Sequence, residues 1–271
     1  MNPYSLKGMR MNNPRILIFD LETAPIEAYV WALWDQNIGL DQIKSEWSIL
    51  AYGAKWLGEK DIFYGDTSGG GKDRIRDDSK LLEGIWELFD KADIVVAQNG
   101  AKFDVKKLNA RLMMHGFPPY SPIRVIDTLV ASRKYFGFSS NKLAWLSRWL
   151  TTAPKSDHRK FPGFELWVEC LRDNPEAWKE MKRYNIRDVI ACEQLYLKLR
   201  PWIANHPNLG AYKEGITKQS CPKCGSTKMQ KRGITVTQQG QYQRYQCNKC
   251  AGWSRGKELL LPLEERKALL V

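Results

Sequence analysis

The sequence contains no long hydrophobic run. None of its apolar stretches, within 271 residues, approaches the about 18 residues that a membrane-spanning helix needs. The first residues, MNPYSLKGMRMNNP, have no apolar core of the kind that a secretory signal requires, and we interpret residues 1–13 as a flexible N-terminal arm. These absences predict a soluble globular protein of the cytoplasm, with no membrane partner.

Cysteine is scarce, with six residues in the chain. Cys170 and Cys192 lie singly in apolar helical patterns, which is typical of small buried side chains. The other four form two Cys-x-x-Cys pairs: Cys221/Cys224 and Cys247/Cys250. Without a secretory signal the pairs favour metal binding in an intracellular, reducing compartment over disulfides.

Negative charge is in deficit. The chain has 42 Lys and Arg against 30 Asp and Glu, a formal charge of +12, and residues 201–271 hold 12 of the basic and 4 of the acidic side chains. An excess of this kind indicates a polyanionic partner, and nucleic acid is the first candidate. The alternative is that the lysines only increase solubility.

The chain has neither an internal repeat nor a phosphate-binding loop, since the Gly-rich stretch 67–78 does not follow GxxxxGK[ST]. Strand patterns at 15–20, 48–58 and 61–65 come first, strands and helices then alternate, and a helical end reaches residue 200. This order predicts an α/β domain over residues 14–200. Two prolines in "PWIANHPN" mark residues 201–217 as a linker.

Four carboxylates follow strands or lie on helices in the predicted α/β domain. Asp20 and Glu22 end the apolar strand of "RILIFDLET", Asp104 follows the Asn-Gly turn of "VVAQNGAKFD", and Asp188 lies on the last long helix. No basic residue stands beside the first pair, so we expect hard divalent cations, Mg²⁺ or Mn²⁺, to neutralise them.

Two such ions about 3.5 to 4 Å apart activate a water and stabilise a leaving oxygen in attack at phosphorus. Tyr184 lies one helical turn before Asp188, and its phenol is a candidate for orienting the attacking water.

The motifs "FDLET", "NGAKFD" and "YNIRD" together resemble those of the DEDDy 3′-to-5′ exonucleases. These enzymes form one branch of the DEDD superfamily of DnaQ-like exonucleases, which have an RNase H-like fold, and the branch is found in the proofreading domains of family A and B DNA polymerases. The related DEDDh branch would have a histidine at position 183, which is arginine here. The resemblance covers about residues 15–200 and implies a core of mixed sheet with flanking helices. It also implies Asp20, Glu22, Asp104 and Asp188 as ligands of two Mg²⁺ or Mn²⁺ ions and Tyr184 as the water-positioning residue.

The same resemblance implies contacts to the substrate. Asn99 would fix the second motif, Leu21 and Phe103 would form a wedge and floor against the terminal bases, and Thr23 would bond the terminal 3′-hydroxyl. Ordinary packing is the alternative role for Leu21, Asn99 and Phe103.

The cysteine pairs stand 22 residues apart and predict one structural Cys₄ zinc site in a small ribbon over residues 218–256. Strands are predicted in "ITVTQ" and "YQRYQC", and residues 257–271 form a tail. The stretch resembles zinc ribbons of some transposase and transcription proteins. A redox dithiol pair is the alternative to zinc.

Basic and aromatic residues surround the cysteines, as single-strand binding requires. The predicted contacts are Lys228, Lys231, Arg232, Tyr242, Arg244, Tyr245 and Trp253. A protein-docking or stabilising module is the alternative role of the ribbon.

The sequence therefore predicts a metal-dependent 3′-to-5′ exonuclease that releases 5′-mononucleotides, with single-stranded DNA favoured over RNA. Replication or repair proteins are further expected partners. Two other functions stay open: a nucleic-acid-binding or recruiting protein with an inactive nuclease core, and a structure-specific RNase H-like endonuclease.

Overall fold

The structure is a computed structural model that describes residues 13–71, 74–154, 158–215, 217–238 and 240–269. The chain divides into two compact units, Arg15–Tyr196 and a second unit that begins at Leu197. The predicted N-terminal arm falls, except for its last residue, outside the described residues. Among the described helices, none is long and apolar enough to span a membrane.

A five-stranded mixed sheet forms the centre of the first unit, with the order β5-β4-β1-β6-β7. Its strands are β1 (Ile16–Thr23), β4 (Ile49–Trp56), β5 (Ile62–Asp66), β6 (Ile94–Ala97) and β7 (Arg124–Asp127). The middle strand β1 pairs antiparallel with β4 and parallel with β6. Its apolar run is buried because the sheet is covered on both faces.

Within the described residues of the first unit, six α-helices accompany the sheet. They are α1 (Ser79–Lys91), α2 (Asp104–Met114), α3 (Thr128–Tyr135), α4 (Leu143–Leu150), α5 (Glu165–Leu171) and α6 (Pro175–Leu199). The apolar side chains of α1 and α2 pack against Phe19 and Leu21 of β1 in one cluster. Successive side chains of a strand point to opposite faces, so Asp20 and Glu22 lie on the other face.

A buried ion pair joins α1, α2 and β4. Arg111 donates from Nε and Nη2 to the two oxygens of Asp78, at 2.7 Å each, and the backbone N–H of Ile49 donates to the same carboxylate at 2.9 Å. Removing one partner of a buried pair of this kind typically costs about 3–5 kcal/mol. The pair therefore fixes the helix whose first residue is Asp104.

One segment of the first unit differs from the expected pattern. Between β1 and β4 the chain forms a small sheet of β2 (Glu27–Ala28) and β3 (Ile43–Ser45), which the sequence did not predict because neither strand has a clear alternation of apolar residues. The predicted mixed α/β core with flanking helices is otherwise confirmed.

The second unit contains a three-stranded antiparallel sheet in the order β10-β9-β8. Its elements are β8 (Met229–Thr237), β9 (Gly240–Cys247), β10 (Trp253–Leu259) and the short helix α7 (Leu263–Lys267). Strand β10 was not predicted, and it corrects the ribbon boundary at 256, because the strand continues to Leu259.

The predicted linker contains structure of its own. A 3₁₀ turn at Leu209–Tyr212 follows one at Arg200–Trp202. The backbone N–H of Leu209 donates to the carbonyl of Pro222 at 2.8 Å, next to the first cysteine of the ribbon. Residues 201–215 thus pack with the cysteine segment, and the division between the units falls before residue 200.

Candidate functional site

Three of the four predicted carboxylates meet in the first unit. Asp20 and Glu22 come from the same face of β1 and Asp188 comes from α6, and one carboxylate oxygen of each lies within 4.8 Å of the others. The period of two along the strand explains why the first pair points the same way. The motifs predicted a group of four carboxylates, and the structure brings three of them together.

Asn185 holds Asp20 in place from one turn before Asp188. Its Nδ2 donates to Asp20 Oδ2 at 2.7 Å, and its side chain is fully buried. Gly53 of β4 is the register partner of Asp20, and a Cβ at that position would collide with Asn185 Oδ1. The close approach of α6 to the sheet therefore depends on glycine at this position.

The fourth carboxylate, Asp104, approaches the end of β1 from α2. The pairing of β1 with β6 ends at Ile18 and Val96, and three residues later the backbone N–H of Leu21 donates to Asp104 Oδ1 at 3.0 Å. Burial raises the pKa of Asp104 to about 7. It is not part of the group of three, and its role as a metal ligand remains a prediction.

Asp127 is a functional candidate that the sequence analysis missed. It caps the N-terminus of α3 by accepting from the N–H groups of Leu129 and Val130, and it also accepts from Asn99 and Ala101. Asn99 has a φ of 66°, a left-handed conformation that asparagine tolerates better than most residues. The turn that precedes Asp104 is thereby fixed, and an Asp between a strand and a helix was the available signal.

The carboxylates open into a cavity of about 590 Å³. Its other lining residues are Gln98, Leu129, Arg133, Ser139, Ser140, Asn141, Lys142, Leu143 and Ala144. Arg133 and Lys142 add positive charge to a cavity that holds three carboxylates. The sequence analysis did not identify them, although residues 128–150 contain four basic residues and no acidic one, which was the signal.

Tyr184 is held by aromatic packing. Its ring is 7% exposed and meets the rings of His158 and Trp167 edge-on, with centroids 5.2 and 6.0 Å away. It is not among the residues that line the cavity. Its role in orienting water therefore remains a prediction.

The other predicted substrate contacts occupy different environments. Leu21 is buried in the core, which agrees with the alternative of ordinary packing. Phe103 directly precedes α2, with Lys107 Nζ 6.0 Å from its ring centroid, and Thr23 ends β1 with partial exposure. None of the three lines the cavity.

The four cysteines of the two pairs converge in the second unit. Cys221 Sγ lies 3.6 Å from Cys250 Sγ, Cys224 Sγ lies 3.6 Å from Cys247 Sγ, and all four sulfurs lie within 4.8 Å of one another. Four sulfurs at about 2.3 Å from a tetrahedral zinc ion would be about 3.8 Å apart. The sulfur positions therefore fit one structural zinc ion.

The environment of Cys247 also suits metal binding. Burial alone would raise the pKa of this thiol, but the backbone N–H groups of Cys250 and Lys249 donate toward its sulfur and the net pKa falls to about 7. A thiolate, and not a thiol, is the form that binds zinc.

The predicted nucleic-acid contacts of the ribbon differ in exposure. Four basic side chains are exposed: Lys228, Lys231, Arg232 and Arg244. Tyr242 and Tyr245 are buried; Arg255 lies 3.9 Å above the first ring, and Gln219 donates to the hydroxyl of the second. Trp253 is 46% exposed, so the prediction of base stacking narrows to this ring.

Comparisons with known proteins agree with this architecture. Residues 66–200 match a family model described as the RNase_H superfamily. Over 70% of its length the chain is similar to a solved family B DNA polymerase from the hyperthermophilic archaeon Pyrobaculum calidifontis, with a TM-score of 0.52 and 17% identity. The chain spans 25% of that polymerase. A search of curated proteins finds no match.

At this identity the structural similarity shows the fold alone. The fold of the first unit is RNase H-like, as the motif resemblance predicted. The assignment to the DEDDy branch rests on the motifs and remains a prediction.

Proposed function

We propose that this chain is a metal-dependent 3′-to-5′ exonuclease that releases 5′-mononucleotides, with single-stranded DNA as the favoured substrate. The observation that carries the proposal is the convergence of Asp20, Glu22 and Asp188 on one open cavity. Carboxylates this close together repel one another, and divalent cations relieve that repulsion.

The donor set fits Mg²⁺ or Mn²⁺, because every donor is a carboxylate oxygen. Asp20, Glu22 and Asp188 would hold the ions, with Asp104 as the fourth ligand. When bound, two such ions lower the pKa of an attacking water and stabilise the leaving oxygen.

The chain's own side chains bind and orient the substrate. Arg133 and Lys142, on the lining of the same cavity, would bind the phosphates of the incoming strand. Asn185 fixes the carboxylate of Asp20. Tyr184, held by His158 and Trp167, is the residue that we assign to orienting the water.

The ribbon supports the same function. Its exposed lysines and arginines and Trp253 provide cations for phosphates and a ring for a base. One zinc ion on the four cysteines would stabilise this unit, since a sheet of three short strands buries little apolar area.

The test is a cleavage assay on matched single-stranded DNA and RNA oligonucleotides that carry a 5′ label, with Mg²⁺ or Mn²⁺. We expect a ladder that shortens from the 3′ end, stronger on DNA, and its loss in Asp20→Ala. The control variant Asp61→Ala removes an exposed carboxylate outside the cavity and should leave the ladder unchanged.

Three other outcomes would redirect the proposal. Long fragments in place of mononucleotides would indicate an endonuclease. Binding without cleavage in either metal would indicate a recruiting protein with an inactive core. A stronger ladder on RNA would change the substrate class and leave the chemistry intact.

A further inference from the structure

The segment between β1 and β4 exposes many apolar side chains. We call residues 26–42 the apolar insert. Trp31 and Trp34 are 96% and 82% exposed, and Leu33 and Leu40 are exposed to a similar extent. Ile26, Tyr29, Val30 and Ile38 are exposed as well. Large exposed apolar patches on a protein surface mark interaction sites.

The apolar insert is tied down at its base. Arg76 donates to the carbonyls of Pro25 and Glu46 at 3.0 and 2.9 Å and pairs with Glu27 at 2.6 Å. Further out, Tyr29 and Gln42 exchange two hydrogen bonds, one through the backbone at 2.9 Å and one through the Gln42 side chain at 3.0 Å. The exposed rings are therefore presented by a structured segment, and binding to it loses little conformational entropy.

The charge of the apolar insert selects the kind of partner. It contains Glu27, Asp35 and Asp41 and no lysine or arginine. Phosphate backbones would be repelled by this surface, although its tryptophans could stack on bases. A surface that is apolar and basic is its electrostatic complement.

This chain carries such a surface on β8, which lies at one edge of its three-stranded sheet. Lys231 and Arg232 are exposed there, as are Ile234 and Val236. Met229–Thr237 contains no acidic residue. The apolar insert and β8 are therefore complementary in charge, and each also exposes apolar side chains.

We propose that the apolar insert docks on strand β8 of a second copy of this chain. A two-fold axis would make the contact reciprocal, with each insert on the other copy's β8, and would close the assembly as a dimer. Each aromatic side chain buries about 150–250 Å². The three rings of Tyr29, Trp31 and Trp34 thus supply much of the about 800 Å² per partner that a stable interface buries. This inference leaves the proposed cleavage site unchanged, but it assigns Lys231 and Arg232 to the dimer contact, so nucleic-acid binding by the ribbon would depend on Lys228, Arg244 and Trp253.

The first test is sedimentation equilibrium of the full chain between about 0.1 and 100 µM. We expect a monomer–dimer equilibrium, and we expect Trp31→Ser combined with Trp34→Ser to remain monomeric at concentrations at least tenfold higher. Trp202→Ser is the matched control, because it removes an exposed tryptophan outside both surfaces and should leave the equilibrium unchanged. Circular dichroism checks that each variant is folded.

A charge exchange tests the pairing itself. Asp35→Lys with Asp41→Lys should weaken the dimer, Lys231→Glu with Arg232→Glu should weaken it similarly, and all four changes in one chain should restore it. A wild-type chain that stays monomeric over the whole concentration range would overturn the proposal. A dimer whose dissociation constant does not change with the charge exchange would overturn it as well. Loss of oligonucleotide binding in the Trp31/Trp34 variant, with no change in mass, would assign the insert to nucleic acid instead.

Discussion

The two clusters of candidate metal ligands differ in the access that they allow. The acidic cluster joins residues of β1 and α6 and opens into a cavity of about 590 Å³. The cysteine cluster brings four sulfurs within 4.8 Å of one another, with two of the spacings at 3.6 Å, and four thiolates complete a tetrahedral coordination shell. An ion bound by the carboxylates would keep coordination positions open for water and substrate. An ion bound by the four cysteines would have no open coordination position.

The difference extends to how each cluster is supported. The carboxylates sit on a preformed sheet and helix whose core consists of apolar side chains. The cysteines join turns and strands of a small unit with little core of its own. Removing the metal should therefore stop chemistry at the first cluster and destabilise the fold at the second.

The largest effect is expected from Asp20→Ala. Loss of a ligand removes several kcal/mol of transition-state stabilisation, so cleavage of a 5′-labelled oligonucleotide should fall by at least about 10³-fold. The melting temperature should change little, because the loss of the hydrogen bond from Asn185 is offset by relief of the repulsion among the three carboxylates. Near-normal cleavage would refute the site assignment.

The second prediction concerns Cys221→Ser combined with Cys224→Ser. The variant should lose its zinc, measured by atomic emission, and the ribbon should unfold because zinc binding contributes about 10–16 kcal/mol to sites of this type. Oligonucleotide affinity should fall while the cleavage position stays the same. Unchanged affinity with lost zinc would make the ribbon a docking or stabilising module.

The third prediction tests whether Asn185 supports the acidic cluster through Asp20. Asn185→Ala removes the hydrogen bond to Asp20 Oδ2. Loss of a side chain that holds a metal ligand in this way typically lowers metal affinity or activity by about 10–100-fold. The concentration of Mg²⁺ for half-maximal cleavage should rise. Gln194 lies on the same helix as Asn185, and Gln194→Ala, which removes the hydrogen bonds that Gln194 Oε1 accepts from Thr152, should leave that concentration unchanged.

The smallest effect is a pH dependence in the second unit. Burial, together with the charges of Arg200 and Lys223, lowers the pKa of His206 to about 4 from 6.5. Between these values the unfolded chain binds a proton that the folded chain does not, so the free energy of unfolding falls as the pH drops from about 6.5 to 4. Denaturant titrations across this pH window should show a smaller decrease in the free energy of unfolding for His206→Gln than for the wild-type chain.

Much of the fold followed from local pattern. The apolar run before Asp20 and the spacing of Leu82, Ile85 and Phe89 matched the observed strand and helix, because burial decides both. The small sheet of β2 and β3 and the strand β10 were missed, since their side chains are largely exposed and leave no apolar alternation.

The sequence predicted more of the carboxylate group than of its surroundings. Three of the four predicted carboxylates, Asp20, Glu22 and Asp188, meet in the structure, and Asp104 lies outside this group. Four residues around the site were not predicted, because their positions depend on how α3, α4 and α6 pack against the sheet. They are Asn185, Asp127, Arg133 and Lys142. Packing between segments that are distant in the sequence sets those positions. The burial of Tyr242 and Tyr245 depends likewise on tertiary packing, which residue type alone does not reveal.

The hydrogen bonds that Asp127 accepts connect two segments of the first unit. A single carboxylate receives N–H groups from the turn before Asp104 and from the first turn of α3, and Arg133 follows one turn later on that helix. Gln98, which directly precedes that turn, and Arg133 both line the cavity, so two parts of its lining are held by the same carboxylate. We therefore expect the distance between these two parts to stay the same when a ligand enters the cavity.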